Sequence, residues 1–439
     1  MRFARLVFSG IAGLLLFGPA APRAAVDGQA AVPSQAATSD QQPVTFKSTT
    51  SIVEVDVVVH DRKGDFVSGL VAEDLQIFED GEPQKIQQFY LVTHERGGQP
   101  FAVSDDQRGI LQDPMSEDRA RRIFVLLFDE GHLANDSLMR AKVGAATFIR
   151  ENIGPGDFGG VFYAGGMYHG RLTNSRAELL TGLGNIKVGF ENRQSLLAPL
   201  REFPLIPGEI DAMRIASGAR ELADRLGAEA CDSDPFSCEL AGGENQVENL
   251  LQQKARLYVR QARILTSNTL QNLRYVVNRL ARIPGRKTVV FITEGFYVEE
   301  ARSDLQIIAA EAARGGTTIY SIDGRGLIGG SAAVPDVLMA SHARSTTFDT
   351  GEDGPVILTA ATGGLRVHNV DDISRAFNMI VRDTSTYYVI GYEPENAVMD
   401  GKFRKIDVKS NVSGLRIRSR SGYAAVKLPP METVRGGWQ

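Results

Sequence analysis

RRIFVLLFDE, residues 121–130, is a run of apolar, strand-forming residues that ends in an acid. An amphipathic stretch (137–152) follows it, and a second strand (160–164) follows that. GRKTVVFITEG, residues 285–295, repeats the plan of turn, apolar strand, acid and glycine. TTIYSIDGRG, residues 317–326, repeats it again with Asp323 at the strand end. Apolar strands that alternate with helices imply a parallel sheet buried on both faces. In such sheets ligands sit at the carboxyl ends of the strands. Asp129, Glu294 and Asp323 all stand there, so the expected ligand-facing edge carries three acids.

The rest of the chain frames this sheet. Its 439 residues suffice for two or three domains. The formal net charge is −5, with no long basic block, which argues against nucleic acid as a partner. Arg2 and Arg5 precede an apolar stretch, Leu6 to Phe17, and small residues follow. That is the pattern of a secretory signal, here residues 1–25, and it is short for a spanning helix. Ala20 and Ala30 are rival cleavage points, and an uncleaved anchor is the alternative. The expected location is therefore periplasmic or extracellular, with no membrane span after signal removal. Two cysteines, Cys231 and Cys238, flank the short polar stretch DSDPFS. In an exported protein they are expected to form a disulfide closing a loop. A zinc pair is the alternative, but no histidine or second cysteine pair lies near them.

Residues 26–45, rich in Ala, Gln, Ser and Pro, read as a flexible linker. An N-terminal β-module is expected over 46–118. Val53, Val55, Val57 and Val59 alternate at strand period, and Asp80-Gly81 between LQIFE and PQKIQQFYL marks a hairpin. The parallel-sheet domain is expected over 119–385, with a helical insertion at about 195–283 that holds one helix over 209–228 and a longer one over 244–282. A Gly- and Ser-rich loop (324–354), an edge strand (363–369) and a last helix (372–385) follow. Residues 386–427 carry three more strands, in TYYVIGYEP, FRKIDVKS and LRIRSRSGYAAV, ahead of a 428–439 tail. Neither terminal set has enough strands to bury its apolar face alone, so the two are expected to share one antiparallel β-sandwich.

Six pieces occur in one order: EVDVVVHDRKGDFVSGLVAEDLQIFEDGEPQKIQQF, RRIFVLLFDE, GRKTVVFITEGF, TTIYSIDGRGL, TAATGGLRVHNVDDISRAF and TYYVIGYEPENAVMDGKFRKIDVK. Together they resemble the acidobacterial-type VWFA-related proteins, exported bacterial proteins built around a von Willebrand factor type A (VWA) domain. The resemblance covers nearly all of residues 46–426. It implies an α/β fold with a doubly wound, mostly parallel sheet, flanked by β-structure, and no known activity.

VWA domains often hold Mg²⁺ at a metal-ion-dependent adhesion site. Its first strand ends in D-x-S-x-S, a threonine comes from a later loop, and an aspartate ends the fourth strand. Here Asp129 is kept, while Gly131 and Leu133 stand where both hydroxyls belong. Thr173, in RLTNSRAELL, matches the third element, and Glu294 replaces the last aspartate. Mg²⁺ demands oxygen ligands in near-octahedral geometry, so the expectation is a degenerate site with no metal or weakly bound Mg²⁺. His132 beside Asp129 raises a softer metal as an alternative. Residues 324–329 spell G-x-G-x-x-G after a strand but open no helix, so they read as a loop and not as a dinucleotide fingerprint. No H-E-x-x-H, G-x-S-x-G or P-loop occurs, and no catalytic residue is assigned.

The resulting expectation is a protein-binding or assembly module, not an enzyme, with a protein partner. It would use an edge formed by His132, Asp323 and Arg325 around Asp129, Thr173 and Glu294. Two rivals stand beside it. One is a metal-dependent hydrolase using the same acids. The other is a structural envelope protein that makes contact through its helical insertion, which an exposed apolar face on 244–282 would favour.

Overall fold

The computed structural model describes residues 52–93, 121–296, 301–326 and 353–430. The signal segment, the 26–45 linker and half of the G-x-G-x-x-G stretch (327–329) lie outside them. Within the described residues, three sheets form.

The first is parallel but for one short edge strand. Its strands are β5 (Ile123–Phe128), β6 (Phe158–Tyr163), β7 (Gly166–Met167), β8 (Lys287–Thr293), β9 (Thr317–Asp323) and β10 (Arg366–Val367), in the order β10-β9-β8-β5-β6-β7. The remaining strands are β1 (Val53–His60), β2 (Leu75–Glu79), β3 (Glu82–Gln84), β4 (Ile86–Thr93), β11 (Thr386–Tyr392), β12 (Phe403–Ser410), β13 (Arg416–Ser419) and β14 (Gly422–Ala424). The protein is thus mixed α/β, with one mostly parallel sheet and two antiparallel ones.

The unbroken apolar runs reflect burial on both faces. In β5, Ile123, Val125 and Leu127 enter one core with Leu273, Val277, Leu305 and Leu358. Phe124, Leu126 and Phe128 enter the opposite core. There they meet α1 (Asn135–Asn152), α2 (Arg176–Asn185) and α10 (Ile373–Ser385) through Leu138, Phe148, Leu183 and Phe377. The first core is covered by α7 (Glu244–Leu280), α8 (Arg302–Arg314) and α9 (Asp353–Thr362). Where β10 meets β9, a Cβ on Gly364 would sit 1.9 Å from the Ile319 carbonyl oxygen, so only glycine allows the approach.

The antiparallel strands come from both ends of the chain. One sheet runs β13-β1-β11-β4 and the other β14-β12-β2-β3. Val57 pairs with Tyr388 and Val55 with Ile390. Between the sheets, Val53, Val55, Val57, Ile77, Tyr388, Ile390, Ile406 and Tyr423 form one core. The Asp80-Gly81 turn joins β2 to β3 with both residues at positive φ (52° and 92°), the combination that a tight hairpin needs. Buried Glu79 accepts hydrogen bonds from the Tyr392 hydroxyl (2.6 Å) and the Tyr423 hydroxyl (3.0 Å). The sandwich is tied to the α/β layers by arginines near its edge. Arg418 donates to Asp383 and to the Gly363 carbonyl, and Asp383 also accepts from the Tyr320 hydroxyl at 2.5 Å.

The helical insertion differs in detail from the sequence expectation. Residues 209–228 are not one helix. Beyond the short α3 (Arg193–Leu197), they divide into α4 (Glu209–Ala216) and α5 (Arg220–Ser233), because Gly218 turns the chain at φ +98°. Cys231 and Cys238 are disulfide-bonded, but they join the end of α5 to α6 (Pro235–Ala241) and do not close a loop. Asp234 caps α6 through its side chain, with Pro235 at the first helical position, so the polar stretch between the cysteines is a helix junction. The 37 residues of α7 span about 55 Å. Its C-terminal half packs on the sheet through Leu273, Val276 and Leu280. Its N-terminal half projects beyond the sheet and carries α4 and α5 on Leu251, Ala255 and Tyr258. Among the described residues, no helix is long and apolar enough to cross a membrane.

Candidate functional site

The carboxyl ends of β5, β8 and β9 gather Asp129, Glu294 and Asp323, as strand adjacency requires. The Asp129 carbonyl accepts from the amides of His132 and Leu133, both at 3.0 Å. That tight turn brings the His132 ring back over Asp129. The carboxylate is then saturated. Its Oδ1 accepts from the Thr269 hydroxyl at 2.8 Å, its Oδ2 from the Thr293 hydroxyl at 2.8 Å, and His132 Nδ1 lies 3.0–3.1 Å from both oxygens. Thr293 ends β8, but Thr269 arrives from α7.

The insertion therefore covers the edge. Leu265 of α7 stands 3.4 Å from where a Cβ on Gly131 would lie. The Arg193 amide donates to the Gly131 carbonyl at 2.7 Å. The Arg193 side chain makes a bidentate pair with Glu209 (2.9 and 2.5 Å), and the Tyr258 hydroxyl donates to the same carboxylate at 2.5 Å. Burial by itself would lower the Arg193 pKa, but Glu209 holds it above the ordinary value. Burial, and then Glu209, push the Tyr258 hydroxyl well above its ordinary range. What remains beneath the insertion is a cavity of about 20 Å³, room for about one water, lined by His132, Arg193, Glu209, Tyr258, Thr266 and Phe296 among others. Asp129, His132, Glu294 and Asp323 are each at most 5% exposed.

The other acids are also engaged. Glu294 accepts from the Ala134 amide at 2.9 Å, capping α1, whose own N-cap alanine has no side chain to do so. Asp323 accepts from the Arg325 amide at 2.9 Å and from its guanidinium at 2.6–3.1 Å. Arg325 is thus a clamp on Asp323. Both Glu130 oxygens lie within 2.9 Å of the Ala164 amide nitrogen, and burial lifts its pKa to about 7.

Thr173 does not join this group. It pairs with Gly159, which lies beside Phe124 near the amino end of β5. That is roughly 16 Å along the sheet from Asp129. Its hydroxyl donates to Glu178 and accepts from the Ser175 amide, a local turn at the wrong end of the sheet. The five-ligand set suggested by the sequence is therefore not assembled. Asp129 is spent on three donors, Glu294 on a helix cap, Gly131 and Leu133 offer no oxygen side chain, and Thr173 is remote. These residues do not fit an octahedral cation. Among the described residues, no group of three or more His, Cys, Asp or Glu side chains is placed to hold a metal.

The residues that sequence reasoning missed are Thr269, Arg193, Glu209 and Tyr258. Thr266 and Thr269 did leave a trace. They interrupt an apolar stripe that runs through Leu265, Leu270 and Leu273, and buried threonines on a stripe imply a polar partner.

No family model matches this chain, and no curated protein matches it. Among solved structures, the chain is similar to the conserved hypothetical protein BatB from Bacteroides thetaiotaomicron. The two are 16% identical, with a TM-score of 0.30, over 60% of this chain and 97% of that one. At that TM-score the fold assignment rests on the strand order and registers described above.

Proposed function

We propose that this chain is an exported, VWA-related binding module whose recognition surface lies on its helical insertion, and that it is not an enzyme. In this reading the metal-ion-dependent adhesion site is lost. The observation that carries the reading is α7. Its inner face seals Asp129 with Leu265 and Thr269, while Leu250, Leu257 and Ile264 on its outer face are 39%, 49% and 55% exposed. A spacing of seven keeps the three in one line along a helix. Exposed Arg256 and Arg260 flank them. An apolar stripe with basic flanks suits an amphipathic partner segment with an acidic rim. The VWA reading is supported by the parallel strand order and by the six ordered sequence pieces. Export is supported by the N-terminal pattern and by the disulfide, which persists in oxidising compartments.

The surface is tested by placing a photo-crosslinking residue at Leu257 of the full chain in its source cell, with Val143 on α1, which is more exposed (64% against 49%), as the control. A discrete adduct from position 257 and none from 143 is expected. The adduct should vanish when the neighbouring Leu250→Asp and Ile264→Asp are introduced. Equal labelling from both positions, or an adduct indifferent to the aspartates, refutes the surface. Export has its own readout. Mass analysis of protein recovered from the cell should find roughly 20–31 residues lost from the N-terminus, and both Cys231 and Cys238 blocked. Retained Met1 with two alkylatable thiols is the contrary result.

A further inference from the structure

A second cleft, of about 440 Å³, lies far from the acids. It runs between the outer face of the β13-β1-β11-β4 sheet and the amino ends of β8 and β9. Its walls differ in chemistry. The sandwich side is largely apolar and aromatic, with Val58, Val92, Val389 and Tyr387 in one cluster, and it also carries Glu54 and Asp56 on β1. The other side is cationic: Arg286 and Lys287 lead into β8, and Arg420 follows β13. Four cationic side chains line the cleft against two acids, Glu54 and Asp56.

Among the described residues, five buried side-chain atoms lack a hydrogen-bond partner. Four of them belong to this lining: Nε and Nη1 of Arg286, Oγ1 of Thr317 and Nε of Arg420. Arg286 stacks on the Tyr387 ring at 3.9 Å and its Nε is ion-paired with Asp56 Oδ2 at 3.0 Å, yet Nε and Nη1 make no hydrogen bond. Arg420 spends its terminal nitrogens on the carbonyls of Ala313 and Glu54, which leaves Nε over. Thr317 is 2% exposed and pairs with Lys287 across β8 and β9. Native proteins leave few buried donors unpaired, so four on one cleft mark a place for an acceptor.

We propose that this cleft binds an amphipathic organic acid, its carboxylate seated among Arg286, Thr317 and Arg420 and its apolar body laid along Val58, Val92 and Val389. The size lies within the range of small-ligand sites. The charge favours a monoanion. Burial brings Lys287 down to about 7, against the opposing pull of Asp56, so near neutral pH the lining's positive excess falls between one and two.

Titration calorimetry on the full chain tests this with octanoate as the probe, and acetate, inorganic phosphate and octanamide as controls. Octanoate should bind about tenfold or more tighter than any control, the factor expected for a charge-assisted contact added to apolar burial. Arg420→Gln should weaken octanoate by about tenfold, and Thr317→Val, which keeps the side-chain shape, by about three- to fivefold. Thermal melts establish that each variant is folded, and Thr317→Val decides the matter if Arg420→Gln is not. Absence of octanoate binding means a merely hydrated cleft and overturns the proposal. Octanamide binding as well as octanoate, phosphate binding without octanoate, or octanoate binding unchanged in Thr317→Val overturns it too.

Discussion

Deletion of residues 386–439 is expected to expose 52–93 to protease while a soluble fragment over 121–385 survives. The cut removes β11 and β13, both neighbours of β1, and also removes β12, the neighbour that pairs β2 into its sheet. Tyr388, Ile390, Tyr392, Ile406, Val408 and Tyr423 leave the shared core with them. At about 1.5–3 kcal/mol for each large apolar side chain buried, their loss totals roughly 10 kcal/mol or more, comparable with the whole stability of a domain. The hairpin of β2 and β3 cannot stand on its own in water. Limited proteolysis followed by mass mapping reads the result. N-terminal strands that stay fully protected after the deletion would mean that another surface covers them.

The second large effect is expected at Asp129. Asp129→Ala leaves the Thr269 and Thr293 hydroxyls and His132 Nδ1 facing a void in a site only 5% exposed. Breaking a buried, hydrogen-bonded charge costs about 3–5 kcal/mol, and urea unfolding should show that loss. Asp129→Asn should cost less, because the amide keeps one acceptor oxygen. Added Mg²⁺ should leave the wild-type midpoint where it was. A ligand present at a hundredfold over its dissociation constant adds about 2.7 kcal/mol. A Mg²⁺-dependent rise in the wild type that is absent from Asp129→Ala would show that the carboxylate serves a cation after all.

The coarse fold was legible because its signals were redundant. The run at 123–128 is apolar at every residue, those at 287–293 and 317–323 have apolar centres, and all three are buried at every residue, as strands covered on both faces are. Each also ends beside an acid, and strand adjacency brings those acids together. The site was less legible, for two reasons. Thr173 was matched to a motif element with no independent anchor, and its backbone pairing with Gly159 fixes it at the opposite end of the sheet. The cover over Asp129 was hidden because Thr269 and Tyr258 read as ordinary members of a helix whose docking angle no local pattern encodes. Gly218 was the clearest missed mark. It is the residue within 209–228 whose positive φ ends one helix and lets the next begin.

The interleaving of the two chain ends has a consequence in time. Val55 is paired with Ile390, so roughly 330 residues separate the first strand of the sandwich from the neighbour that covers it. At typical synthesis rates of about 5–20 residues per second, the two emerge on the order of 20–60 s apart. Through that interval the valine face of β1 and the edges of β2 and β4 have no native partner, which is the condition under which strands pair with the wrong chain. Of the described strands, the first to be made wait for β11–β14 to be closed, so yield depends on whatever keeps β1–β4 from associating before those strands arrive.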